Sequence, residues 1–394
     1  MNTLKQVVEA KVEQAIAKGH GTATDAWERM KAQGSIMEDF LVPIGKAGRA
    51  HFVWGQDSSP ERNHPVLMVA SGPDGSELFA KAMHKNGAEQ LGEKLGIPQI
   101  WLRDHILGDN WRKEAITNLL NSYARDNEQR TVLVRSVGDQ VRGVLSDRYK
   151  RIDTVPVMTA FITQAYAMGA KLYDGSLTDL KAYMEVLKPE VVEVPIDGGQ
   201  PVHIVFGAQI NNSDFGKGSL EVRGFYLQGA CLNGMVRRNV MREVHRGSKL
   251  YDLGDIASKE TLELEIQATK SAIGDVVREV LGQTYIQDTV IMIHRAAGME
   301  VNVQKEVKDL NNYGVYKGEI DEIEAILAAG RYEDGVACPP SAWKVAQGIT
   351  AVARTKDDDR RRDLQFIAED WLNKQLGDIE GQFEKAHELT EAAE

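Results

Sequence analysis

The apolar positions of this chain change period several times, and each change marks an expected element. Near the N-terminus Val7, Val8, Val12, Ala15 and Ile16 recur at helical spacing, which predicts a helix over 1–33 broken by Gly19 and Gly21. Three short apolar runs follow, IMEDFLVPI, RAHFVWG and PVLMVAS; they read as strands between 35 and 72. A turn-rich stretch with Asp57, Ser58, Ser59 and Pro60 separates the last two. From Ser76 the pattern turns helical, with Leu78, Met83, Leu91 and Leu95 on one side and Gly96-Ile97-Pro98 as the stop. Two more helices are expected at about 99–107 and 110–125, the second placing Leu119, Leu120 and Tyr123 toward the core.

Alternation returns in TVLVRSVGDQVRGVLSDRYKRID at 131–153. Val132 and Val134 precede a Gly138-Asp139 pair, and Val141, Gly143 and Leu145 follow it, the pattern of a β-hairpin. A helix is expected at about 154–168, then strands in AKLYDGS and AYMEVLK running on to VVEVPI, in QPVHIVFGAQINNS, and in GSLEVRGFYLQGACLNGM. VRRNVMREVHRG reads as a basic helix over 235–247, followed by a helix at 258–281 and an α-rich remainder ending in a charged helix over 355–394. The run Lys356-Asp357-Asp358-Asp359-Arg360-Arg361-Arg362 fits a solvated helix face. The expected class is therefore α+β: a central, β-hairpin-rich mixed sheet with packed helices and helical N- and C-terminal extensions. Three regions are delimited: 1–75, 76–300 and 301–394.

Composition narrows the picture. With 394 residues, 42% of them hydrophobic and 27% charged, the chain can bury a sizeable core. No apolar run approaches the length of a membrane span, and the first residues lack a secretory apolar core, so a location in the bacterial cytoplasm is expected. Two cysteines, Cys231 and Cys338, imply no disulfide framework and cannot form a zinc site alone. The net charge is −11, but its distribution is uneven. Five Lys/Arg face two acids over 131–151, and seven face two over 217–249, whereas six acids face one Lys over 375–394.

Catalytic motifs are weak. Gly216-Lys217-Gly218-Ser219 lacks the glycine that a Walker loop needs at position 211, which is Asn, and has Gly where Ser or Thr should follow the lysine; a turn is the simpler reading. The nine histidines show no HxH, HExxH or comparable spacing. Asp147 and Asp153 could chelate magnesium in a nuclease, although Asp147 between Ser146 and Arg148 fits a turn. Cys231 fits a small buried hydrophobe better than a nucleophile. No cofactor and no enzymatic activity is expected.

The basic stretches carry two alternatives. Their cations could pair with acids inside the fold, or they could track a phosphate backbone while an aromatic ring stacks on unpaired bases. In a helix over 235–247, Arg238, Arg242 and Arg246 (or His245) would share one face, a repulsive arrangement that calls for acidic partners or an anionic ligand.

GAEQLGEKLGIPQIWLRD at 87–104, the 131–153 segment, and INNSDFGKGSLEVRGFYLQGACLNGMV at 210–236 together resemble a phage- and plasmid-encoded family known as a domain of unknown function. The resemblance covers about 76–250 and departs from the family in having Thr154 where Asn is frequent. It implies a mobile-element protein. More distantly, the order of hairpin, long helix and further strands resembles the phage single-strand annealing proteins of the Beta, RecT and Erf type. That resemblance implies a ring or filament that holds single-stranded DNA in a basic groove without nucleotide hydrolysis.

The expected partners are thus single-stranded DNA and further copies of the chain, with no membrane. Arg135, Arg142, Arg148, Lys150 and Arg151 would contact phosphate with Tyr149 stacking, and Lys217, Arg223, Tyr226, Arg237, Arg238 and Arg242 would form a second surface. Neutralising six phosphates would lower affinity about a thousandfold between 50 and 200 mM salt. The alternative is a protein-interaction module that engages a host factor, as a counter-defence element would, through the acidic tail after Gln375.

Overall fold

Alternating apolar residues build two sheets, and helices cover them. The computed structural model describes residues 4–44, 50–54, 65–71, 77–98, 101–102, 110–126, 130–196, 201–228, 233–236, 241–243, 245, 259–328 and 340–391. The first sheet is formed by β1 (Met37–Ile44), β2 (Ala50–Trp54), β3 (Pro65–Ser71), β4 (Glu77–Met83), β5 (Arg130–Val137) and β6 (Gln140–Ser146). Its order is β1-β5-β6-β4-β3-β2, antiparallel throughout except for a short parallel pairing of β4 with β6. The second sheet contains β7 (Lys171–Leu177), β8 (Ala182–Val194), β9 (Val202–Asn212), β10 (Leu220–Gln228) and β11 (Asn233–Val236) in the order β11-β10-β9-β8-β7; β12 (Met241–Glu243) also pairs with β10.

Helices α1 (Leu4–Ser35), α2 (Lys85–Leu95), α3 (Asn110–Asp126), α4 (Thr154–Ala167), α5 (Lys259–Val280), α6 (Gln283–Gly298), α7 (Val303–Asp309), α8 (Lys317–Ala328), α9 (Ala342–Ala353) and α10 (Asp358–Glu391) complete the described chain. The class is mixed α+β with helices at both ends, as the pattern predicts. Among the described residues no helix is long and apolar enough to cross a membrane.

The second sheet is buried on both faces. On one, Ala208, Ile210, Leu220 and Val222 pack with Phe161 of α4 and Ile273 and Val277 of α5. Farther along that face, Ile204, Phe206 and Tyr226 join Trp343 of α9 and Trp371 of α10. On the other, Val205, Phe225 and Leu227 meet Val8, Val12 and Ile16 of α1. Because the second half of α1 places Ala23, Ala26 and Met30 in the α4–α5 core, α1 passes from one face to the other at the β7 edge. Gly19 makes that crossing possible: a Cβ there would lie 1.6 Å from the Tyr173 carbonyl oxygen. Gly19 and Gly21 therefore do not break α1, since close packing on the sheet outweighs their low helix propensity.

Other expectations need correction. Residues 77–83 form β4 rather than the start of a helix, because they complete a hairpin with β3. The helix expected over 235–247 does not form at the described positions of that range: 233–236 and 241–243 pair with β10 as β11 and β12. Met235 and Val236, adjacent in sequence, are buried in cores on opposite faces, which only a strand allows. Tertiary edge pairing thus overrides the local periodicity there and puts Arg242 on a strand, while Arg238 and Arg246 lie outside the described residues. Leu120 is buried as expected, whereas Tyr123 is exposed. Of the helix expected at 99–107, only Trp101 and Leu102 are described, and they are helical; Cys231 and Cys338 also lie outside the described residues. β3 pairs with β4, and the Trp343–Trp371 core joins strands of 194–235 to helices of 286–376.

The run 356–362 departs most from expectation. Arg360 bonds Glu319 of α8 at 2.6 and 2.9 Å, Arg361 bonds Asp174 of β7 at 2.9 Å, and buried Arg362 stacks 3.6 Å from the Tyr183 ring. Arg362 also lies 3.8 Å from buried Glu185. Burial raises the Glu185 carboxyl above its usual range, with Arg361 and Arg362 opposing. Its arginines seat α10 on the fold, while Asp357 and Asp359 remain exposed.

Candidate functional site

All three segments that carry the family resemblance meet where the two sheets join. After β9 the chain turns through 213–219. The Ser213 hydroxyl accepts the Phe215 and Lys217 amides at 3.3 and 3.0 Å and donates to the Leu180 carbonyl at 2.7 Å. Gly216 has φ +73°, and a Cβ there would sit 2.6 Å from Leu145, so the turn requires glycine. The turn pushes Phe215, fully buried, against the first sheet. Asn86 and Gln90 donate to its carbonyl at 3.2 and 2.8 Å, and Gln90 also accepts the Val144 amide at 2.9 Å. Lys217, on the same turn, pairs with Glu89 of α2 at 3.5 Å.

Beneath this clasp lies Arg135, 1% exposed on β5. Its guanidinium donates to Asp39 of β1 at 2.7 Å, to Asp153 at 2.5 Å and to the Asp214 carbonyl at 3.1 Å. Burial works against its charge, but Asp153, Asp39 and Asp214 together hold it above the ordinary arginine value. Asp214 accepts the Thr154 amide at 2.9 Å and so caps α4 from a distant loop. Burial pushes the Asp214 carboxyl up to about 6 against the pull of Arg135. Here the guanidinium fills the space among the carboxylates, and among the described residues no group of three or more His, Cys, Asp or Glu is placed to hold a metal ion.

A third layer fastens the segment after β6. Tyr149 donates its hydroxyl to the Ser213 carbonyl at 3.1 Å, and its ring stacks on His245 with centroids 5.0 Å apart and planes 3° from parallel. Burial raises the Tyr149 phenol well above its usual range, with Arg135 opposing. The Lys150 amide donates to the His245 carbonyl at 3.3 Å. Residues 146–151, 213–219 and 241–245 are thereby tied into one unit.

The expected contact residues divide sharply. Arg135, Arg223 and Tyr226 are buried and unavailable to a ligand in this conformation. Arg223 pairs with Glu221 and lies 3.6 Å from the Phe366 ring; burial lowers it to about 10 despite Glu221 and Glu369. Tyr226 packs in the core, its ring stacked on Trp343. Arg142 is half-buried, with bonds to Gln33 at 2.9 Å and to the Asp179 carbonyl at 3.2 Å, and burial lowers it below the ordinary value. Tyr149 is spent on His245 and Ser213. Exposed or half-exposed cations remain at Arg148, Lys150, Arg151, Lys217 and Arg242. Arg151 lies 3.4 Å from Asp39, and Arg242, with a 63% exposed side chain, lies 3.4 Å from Glu221. Arg237 and Arg238 fall outside the described residues.

Sequence reasoning misses Asp39, Asn86, Gln90, Asn212, Asp214, Phe215 and His245. Gln90, Asn212, Asp214 and Phe215 lie within the segments at 87–104 and 210–236 that the sequence reading singled out, but nothing in those segments marks these residues individually. Asp39 and Asn86 give no signal, and His245 enters the sequence reading only as the alternative to Arg246 on the expected basic helix face. Comparison with protein-family models, with curated proteins and with solved structures finds no match for this chain.

Proposed function

We propose that the protein binds single-stranded DNA and promotes strand annealing without nucleotide hydrolysis, acting as a homo-oligomer in the cytoplasm of the host of a mobile element. The observation that supports this reading is the rim: Arg148, Lys150, Arg151, Lys217 and Arg242 sit on three segments fastened together by Tyr149, Ser213 and His245. An acidic chain that gathers cations from positions so far apart has the local field a phosphate backbone needs. Tyr149 and Tyr226 do not serve as stacking platforms in this conformation, so contact is directed at the backbone and has little sequence preference.

Five phosphate contacts on a single strand give a log–log salt slope of about −3.5, or about a hundredfold loss of affinity between 50 and 200 mM salt. Fluorescence anisotropy with labelled single- and double-stranded oligonucleotides tests this. Single-strand binding that weakens in Arg148→Glu, followed by accelerated pairing of complementary strands, supports the reading. No binding at 50 mM salt, or an indifferent Arg148→Glu, overturns it.

The internal pairing of Arg135, Arg142 and Arg223 favours a second reading, a protein-interaction module working through the acidic tail. Leu376 is packed in the core, so a truncation that separates the readings must remove 378–394 and no more. Loss of host-protein capture with DNA binding intact supports the second reading.

A further inference from the structure

His245 is buried, and each ring nitrogen faces an oxygen that can only accept. Nδ1 lies 3.1 Å from the Lys150 carbonyl and Nε2 lies 3.1 Å from Asn212 Oδ1. The orientation of Asn212 follows from its own bonds: its amide nitrogen donates to the Ile152 carbonyl at 2.8 Å and to the Thr154 hydroxyl at 3.1 Å, with Asp214 Oδ1 at 3.4 Å. Flipping the amide would set its oxygen against the Ile152 carbonyl and the Asp214 carboxylate. A neutral imidazole has one N–H, so one ring nitrogen would present a lone pair to an oxygen lone pair. An imidazolium satisfies both contacts.

We propose that His245 is a pH-dependent latch, a positioning residue that fastens the segments bearing Lys150 and Lys217 when its ring carries both protons. This inference rests on the nucleic-acid reading of the rim and assigns that rim its regulation. The ring meets Tyr149 and the Lys150 carbonyl after β6 and Asn212 at the end of β9; the charged groups beyond them are Arg135, Asp153 and Asp214, which act on the stacked Tyr149 phenol, with Asp214 also 3.4 Å from the Asn212 amide. Protonation adds a donor bond between the segments and a positive charge behind the rim. Both effects favour phosphate binding, so affinity rises as pH falls through the titration of His245.

The test has two arms. Histidine-ring NMR of the full chain, with the His245 signals assigned by His245→Gln, reads the latch without DNA. The expected result is two ring N–H signals at low pH and the loss of one of them as pH is raised. In the second arm, anisotropy with a labelled poly-dT oligonucleotide is followed at constant ionic strength from roughly pH 8 to pH 5. Binding should tighten several-fold in the native protein and stay nearly flat in His245→Gln. A latch seen by NMR without any oligonucleotide binding would sink the proposed function and leave the latch standing. Binding that is independent of pH, with His245 neutral down to about pH 6, would overturn the latch alone.

Discussion

Two runs of similar composition, SDRYKR at 146–151 and KDDDRRR at 356–362, end in different places. The first keeps cations at the surface, beside a buried layer that anchors its backbone; the second drives its arginines into ion pairs beneath α10. What separates them is the acids that the fold brings near. Glu319, Asp174 and Glu185 lie 41 or more residues from the arginines they meet. Around the first run, the carboxylates Asp39 and Asp153 are occupied chiefly by Arg135, and that of Asp214 by the Thr154 amide. A count of local charge therefore does not distinguish a structural pair from a ligand-binding surface.

The sharpest way to break this contrast is to remove the buried cation that frees the rim. Arg135→Met leaves three carboxylates together without their guanidinium and should cost about 3–5 kcal/mol in urea unfolding. Arg362→Met should cost less, about 2–3 kcal/mol, because Arg361 still faces Glu185. If it folds, its DNA binding should match that of the native chain.

Acid–base behaviour adds a smaller effect. With its carboxyl raised to about 6, Asp214 takes up its proton more readily folded than unfolded, so its contribution makes stability fall as pH rises from about 4 to 6. Asp214→Asn keeps the oxygen that accepts the Thr154 amide and should flatten that segment of the pH–stability curve by about 2 kcal/mol. Smallest of all, Arg148→Glu and Lys217→Glu should each change stability by no more than about 0.5 kcal/mol while weakening oligonucleotide binding. A large loss of stability in either would move that residue into the structural class.

Elements whose burial follows local period were legible in the sequence: the β5–β6 hairpin, α4, α5, and strands β7 to β10 sit close to where alternation or helical spacing put them. Residues 235–236 and 241–243 were not, because they pair with β10 and only the assembled sheet reveals that edge. The ion pairing of Arg360, Arg361 and Arg362 was hidden for a similar reason, since their partners come from α8, β7 and β8. For the site, Tyr149 and Lys217 stood out in sequence, but Asp39 and His245 acquire meaning only through Arg135 and Asn212. Short-range periodicity reports elements, whereas charge pairing is a long-range property.

The central claim is that the rim, and not the buried arginines, meets phosphate. The most direct measurement is the salt dependence of single-stranded oligonucleotide binding for the native chain, Arg148→Glu/Lys217→Glu and Arg362→Met. The account predicts that the rim variant loses affinity and flattens the log–log slope by about 1.4, corresponding to two phosphates. Arg362→Met should keep the native slope. A native slope in the rim variant, or a flattened one in Arg362→Met, would contradict it.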